Sequence, residues 1–341
     1  MEAYQQLELE WTKFNDLDPT GMVACSSGTA ALHLALEALH LPLGSKVVMP
    51  DFTMVACARA VTLAGLEPVF VDCDEQLLMD SKLWVSAIDG PTEAVMFVHV
   101  YGRQCEFPKT WDKYATSLRI IEDLAEAHGI KPHVQTDAAC WSFYKNKIVA
   151  GEEGGAVWFR DPKHAALARS LRSLGFTDNH DFNHIPRGHN YRMSNAHAEL
   201  ILINFAREPN NFGGARWIDY LMSSRNQIVK WYDKHCPQEW KMSSRDAPWV
   251  YDLRIQGMTW ASQDKAIQSL NSAGIAARHS FKPMHSQEEF RECKFVYGSQ
   301  GHKSSILSSQ ILYLPISPGV TTETSIKSAF SILREFFPER A

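Results

Sequence analysis

The sequence predicts an α/β protein: a large domain built on a mostly parallel, mixed sheet flanked by helices, and a smaller C-terminal α+β domain. Three observations carry this expectation. The strand-like runs of the first half are continuously apolar instead of alternating, as in strands covered on both faces. Helical patterns are interleaved with them. After Pro209 the pattern changes, with a loop-like "EPNNFGGAR" at 208–216.

Taken in order, strands are expected at 22–26, 46–50, 68–74, 94–102, 118–125 and 155–161, a set rich in Val, Ile and Phe. Between them, "TAALHLALEALH" (29–40) and "MVACARAVTLAG" (54–65) read as helices. In the first, Leu32, Leu36 and Leu39 share one face. Beyond the loop come a helix over 217–235, a strand over 249–255, a helix over 262–274, a strand over 311–316 and a last helix over 321–337. The expected domains are 1–208 and 209–341.

Composition excludes several function classes. The chain has 341 residues, 45% hydrophobic and 21% charged, with a formal charge of -5. Such a balance offers no surface for nucleic acid or an anionic membrane. No apolar run is long enough to span a bilayer. The N-terminal "MEAYQQLELEWTKF" is acidic and amphipathic, unlike a secretory leader. Seven cysteines are scattered with no CxxC pair, so neither a disulfide framework nor a metal site is expected. A cytoplasmic protein with reduced thiols is the expectation.

Three stretches carry chemistry. In "SSGTAALHLAL", small residues from Ser26 open a helix after a strand. Free N–H groups and the helix dipole there suit a phosphate, although ordinary N-capping by Ser27 or Thr29 explains the same residues. In "IIEDLAEAHG", Glu122 and Asp123 end a buried-type strand. Open α/β sheets bind ligands at that edge, and an Asp there can stabilise a pyridinium nitrogen; a surface acid ending a strand is the plainer alternative. In "WSFYKNKIVAGEEGGAVWF", Lys147 lies between aromatic and apolar residues, and Lys145 nearer the polar tip. A lysine shielded from water can serve as a nucleophile. An anion cup, an acid and a lysine are together what pyridoxal 5'-phosphate (PLP) requires for its phosphate, ring nitrogen and aldehyde.

With these motifs in order, the chain resembles the DegT/DnrJ/EryC1/StrS sugar aminotransferases, within the fold-type-I PLP-dependent transferases. "VMPDFTMVACARAVTLAGLEPVFVDCD", "HVYGRQCEF", "GHNYRMSNAHAEL", "FKPMHSQ" and "LYLPISPGVTTE" extend the likeness from about residue 10 to 337, and "SFYKNK" is nearest the perosamine-synthase form "SFYGNK". The resemblance implies that Lys147 joins the cofactor aldehyde and then carries protons, and that Asp123 keeps the ring nitrogen protonated. Glu126 would lie near the ring or its phenolic oxygen, and Gly28, Thr29 and Ser142 would hold the phosphate. Asn190 would reach a phosphate in the neighbouring subunit, making a homodimer with shared sites. His285 and Arg192 would bind substrate. Met54 stands where the family usually stacks an aromatic on the ring. The stretch before the first helix is short, Leu174 replaces a polar residue, and Glu152 lengthens the acid turn.

The implied reaction moves an amino group from glutamate or glutamine, by way of the amine form of the cofactor (PMP), to a nucleotide-linked keto-sugar. A keto-cyclitol or other polyhydroxy ketone is the alternative acceptor, and a catalytically silent binding or regulatory protein the alternative class. Related dehydratases carry His in place of the lysine, so Lys147 speaks against dehydration.

Overall fold

The structure, a computed structural model, describes residues 1–107, 114, 117–177, 182–206 and 216–338. Among the described residues eleven strands are formed: β1 (Met22–Cys25), β2 (Lys46–Pro50), β3 (Glu67–Val71), β4 (Thr92–Val98), β5 (Arg119–Asp123), β6 (Ala138–Ser142), β7 (Gly155–Phe159), β8 (Tyr251–Arg254), β9 (Arg278–His279), β10 (Phe295–Val296) and β11 (Ile311–Leu314). The helices are α1 (Ala3–Asn15), α2 (Gly28–Ala38), α3 (Val55–Leu63), α4 (Trp84–Ala87), α5 (Pro162–Leu171), α6 (Asn195–Ile203), α7 (Trp217–His235), α8 (Trp260–Ser272), α9 (Lys303–Gln310) and α10 (Glu323–Phe336).

The continuous apolar runs become a central sheet ordered β1-β7-β6-β5-β4-β2-β3-β10. Every neighbouring pair from β6 to β10 is parallel, and β7 alone runs against the rest. All residues of β1, β6 and β7 are buried, which explains the absence of alternation. A second sheet, β8-β11-β9, is antiparallel and has its own core with α7, α8 and α10. The large mixed sheet flanked by helices is thus the expected architecture. The boundary expected at 208/209 lies outside the described residues.

The two sheets are joined by a buried ionic cluster. Arg103, in the turn after β4, donates from Nη2 to both carboxylate oxygens of Asp252 on β8, at 3.0 and 2.9 Å. Arg245 donates from Nε to the same carboxylate at 2.8 Å. Burial pushes Asp252 up, but the two guanidiniums outweigh it and hold the carboxyl below its ordinary range. The C-terminal part also returns to the first sheet. Asp51, just past β2, accepts from His285 N and Nδ1 (2.8 and 2.7 Å) and from Ser304 Oγ (2.6 Å). Asp72, just past β3, accepts from the N–H groups of Lys303 and Ser304. The carboxyl ends of β2 and β3 are therefore closed by the chain itself. Those of β4, β5 and β6 remain open, and the site lies there.

Candidate active site

A cavity of about 360 Å³ opens over the carboxyl ends of β4–β6. Its floor holds Gly28, Thr29, Asp123, Glu126, Ser142 and Lys147, with Met54 at one side. These seven residues, far apart in sequence, are brought together by the strand order β4-β5-β6 and the return of α2 beside it.

At the cup, Ser27 caps α2, its Oγ accepting from Ala30 N at 3.1 Å. Ala31 N–H bonds to Ser27 O. The N–H groups of Gly28 and Thr29 have no partner among the described residues, as expected for a first helical turn. A Cβ on Gly28 would lie 2.7 Å from Ser142 Cβ, so any side chain there would fill the cup. Capping and anion binding are thus compatible: the cap uses one N–H and leaves two.

Asp123 ends β5 and is 6% exposed. Its Oδ1 accepts from Ala125 N at 2.8 Å and its Oδ2 from the Cys57 thiol at 3.0 Å, which fixes the carboxylate plane. Burial and the charge of Asp123 push that thiol well up, so Cys57 stays a donor. Glu122, the other acid of the motif, points the opposite way and is structural. It takes His99 Nε2–H at 2.8 Å, His133 N at 2.7 Å and the Thr136 hydroxyl. His99 Nδ1 accepts from Cys105 N–H, which assigns the Nε2–H tautomer.

Lys147 sits in the tight connection between β6 and β7, its N–H bonded to Tyr144 O at 2.8 Å. Its side chain is 12% exposed, and Nζ lies 3.6 Å from Glu126 Oε1. Lys145, by contrast, is exposed. Glu126 also accepts from Tyr101 N at 3.0 Å. Burial pushes the Glu126 carboxyl up to about 6, against the pull of the Lys147 charge and the Tyr101 N–H. His128 clips the lysine connection at both ends: Nε2–H donates to Ser142 O at 2.9 Å and Nδ1 accepts from Val149 N at 3.1 Å. Burial brings His128 down to about 3, so the ring is neutral and serves as a fixed brace.

Three expected site residues lie elsewhere. His285 does not line the cavity; it binds Asp51 and stacks on Phe295 with ring centroids 4.2 Å apart. Asn190 and Arg192 are exposed on the segment beside α2, where Tyr191 O accepts from Ser26 N at 2.8 Å. Among the described residues no helix is long and apolar enough to cross a membrane.

Known proteins match this arrangement. The sequence profile of the DegT/DnrJ/EryC1/StrS aminotransferase family spans residues 4–330. The chain belongs to that family. It is 32% identical to a GDP-perosamine synthase of Caulobacter vibrioides over 278 residues, covering 77% of this chain and 72% of that one. It is 29% identical to a UDP-N-acetyl-3-dehydro-alpha-D-glucosamine 3-aminotransferase of Acidithiobacillus ferrooxidans, over 92% of this chain and 83% of that one. Among solved structures, Spr1654 of Streptococcus pneumoniae, assigned as a sugar aminotransferase and solved in its PMP form, superposes with a TM-score of 0.82. The overlap covers 98% of this chain and 91% of that one, at 20% identity.

Within this aminotransferase, the opposite wall of the cavity was not anticipated. Trp249, Arg278, Phe281 and Tyr313 come from the C-terminal part. Phe281 N donates to the Tyr101 hydroxyl at 3.3 Å, and Tyr101 itself has a left-handed backbone (φ 55°). No local motif announces these residues. The turn they brace, "VYG" after β4, shows its strain only in the structure, where Tyr101 and Gly102 both have positive φ.

Proposed function

We propose that this aminotransferase transfers an amino group from an amino acid, glutamate or glutamine, to a keto-sugar carried on a nucleoside diphosphate, using PLP. The observation that carries the reading is the convergence of Lys147, Asp123 and the Gly28–Thr29–Ser142 cup on one cavity. The residues fit the cofactor. The cup is kept open by a glycine that tolerates no Cβ, the acid is buried and oriented, and the amine is shielded.

When bound, the cofactor supplies an aldehyde that accepts amino groups and a ring that draws electrons from the reacting carbon. The residues of this chain would then divide the work. Gly28, Thr29 and Ser142 hold the phosphate through two open N–H groups and a hydroxyl. Asp123 keeps a proton on the ring nitrogen. Met54, 49% exposed at the cavity edge, would pack its thioether on the ring. Glu126 would stand near the ring or its phenolic oxygen and, as carboxylate, holds the Lys147 amine. Lys147 takes and returns the proton at the reacting carbon. The nucleotide link is supported by the activities of the two relatives, both of which act on nucleotide sugars by name. Asn190 and Arg192, exposed in the single chain, suit a homodimer in which each subunit completes its neighbour's site. All seven thiols are unpaired and six are buried, which suits a reducing, cytoplasmic setting.

A donor–acceptor screen tests the reading. The protein is loaded with the amine form of the cofactor and offered keto-sugars with and without a nucleoside diphosphate, and keto-cyclitols. Return of the aldehyde-form absorbance with a nucleotide-linked keto-sugar is expected. Return with cyclitols alone would replace the acceptor assignment, and no return with any ketone would refute the transferase role.

A further inference from the structure

We infer that Trp249 is a positioning residue for Lys147, and that the buried Arg225 acts on the lysine through it. The inference rests on the PLP reading above. The Lys147 Nζ lies 4.4 Å from the centroid of the Trp249 ring, over its face. The same indole donates from Nε1 to Asn146 O at 2.7 Å. One side chain therefore grips the lysine twice, at the amine through the ring and at the preceding peptide through the N–H. With Glu126 on the other side, the amine is held between a carboxylate and an aromatic face.

Trp249 is itself fixed from two directions, neither of them local. Ala247 N–H donates to Gly102 O at 2.9 Å. A Cβ on Gly102 would fall 1.7 Å from Ala247 O, so the segment 247–250 rests directly on that backbone. From the other side, Arg225 on α7 donates from Nη1 to Trp249 O at 3.1 Å and reaches Pro248 O at 3.5 Å. Arg225 is 7% exposed, and no carboxylate pairs with it among the described residues. Its Nε has no hydrogen-bond partner among those residues either. A buried guanidinium without a counter-ion is costly, and burial draws it down to about 10. What its position provides is a clamp on the two carbonyls that set the Trp249 backbone.

The consequence for function is specific. Lys147 must present its nitrogen to the aldehyde and, once released, stay within reach of the reacting carbon. A four-carbon side chain left free would sample many rotamers. Trp249 narrows that range from the C-terminal side, so the second half of the chain contributes to the step before any substrate touches it.

The test uses the full-length protein and adds PLP to its cofactor-free form. On capture, the Lys147 nitrogen bonds to the aldehyde carbon, and both amine hydrogens leave with the aldehyde oxygen as one water. The rise of the visible band gives the rate, and melting temperature is measured in parallel. Trp249→Leu should slow capture about tenfold, and Trp249→Phe, which keeps the ring face, about threefold. Arg225→Met should slow it about threefold in the same sense. In turnover, kcat should fall in these variants with the acceptor KM within about twofold. Capture at the wild-type rate by Trp249→Phe and Arg225→Met, with only the melting temperature lowered, would show a packing role and overturn the inference, whether or not Trp249→Leu folds. Failure of the wild type itself to develop the band would instead refute the PLP reading.

Discussion

The two walls of the cavity were made in different ways. The N-terminal wall, Gly28 to Lys147, is assembled from strand ends and one helix start, each of which has a local reason to be where it is. The C-terminal wall, Trp249, Arg278, Phe281 and Tyr313, has no such local grammar. It is placed by contacts between distant segments: the Arg103–Asp252–Arg245 cluster, the Ala247–Gly102 hydrogen bond and the Arg225 clamp. In the proposed reading the first wall carries the groups that do chemistry. The second holds them and shapes the entrance.

That division is breakable by experiment, beginning with the largest effect. Lys147→Ala should lower turnover at least about a thousandfold, whereas Lys145→Ala, two residues away but exposed, should stay within about twofold. Steady-state rates with a matched donor and acceptor decide it. Next in size is the weld behind the second wall. Asp252→Ala leaves two buried guanidiniums without a counter-ion, with Ser243 and the residue-252 carbonyl as their remaining acceptors, and should cost about 3–5 kcal/mol, read by denaturant unfolding. A loss under about 1 kcal/mol would mean the walls are joined by packing alone.

The brace under the lysine gives a pH signature. Because the folded His128 titrates at about 3, below its ordinary 6.5, its contribution is whole above 6.5 and is lost as pH falls toward 3. Between pH 7 and 5 this amounts to about 2 kcal/mol. Glu126, raised to about 6, works the other way: stability gained as pH falls through 6 toward its ordinary 4.5. The His128 share is therefore the difference between wild type and His128→Gln, measured as unfolding free energy at both pH values. The smallest effect is at Glu126 itself. Its charge is present above about 6, so cofactor capture should show an acid limb centred there. Glu126→Gln should abolish that limb and slow capture about tenfold at pH 8.

How much of this could be read from residues alone follows the same divide. The strands β2, β4 and β5 are legible because Val and Ile runs have few other uses. Strand β6 is not. Ala138, Ala139, Cys140 and Ser142 carry little strand preference, and the segment extends because β5 and β7 pair with it on both sides. Strand β10 is two residues long and exists only by pairing with β3. The cup and Asp123 stand at the ends of readable elements, whereas Lys147 was singled out by its setting between aromatic and apolar residues and by its place in "SFYKNK". His285 was placed at the substrate by its motif, but Asp51, a buried acid with three donors to satisfy it, holds its ring away from the cavity. A burial requirement of that kind leaves no trace in spacing.

The central claim is that one cofactor unites the cup, Asp123 and Lys147. The most direct measurement reduces the PLP-loaded protein with borohydride, digests it and locates the added mass. The account predicts a single pyridoxyl-phosphate group on the side chain of Lys147. The same group on Lys145, or spread over surface lysines with Lys147 unmodified, would contradict it.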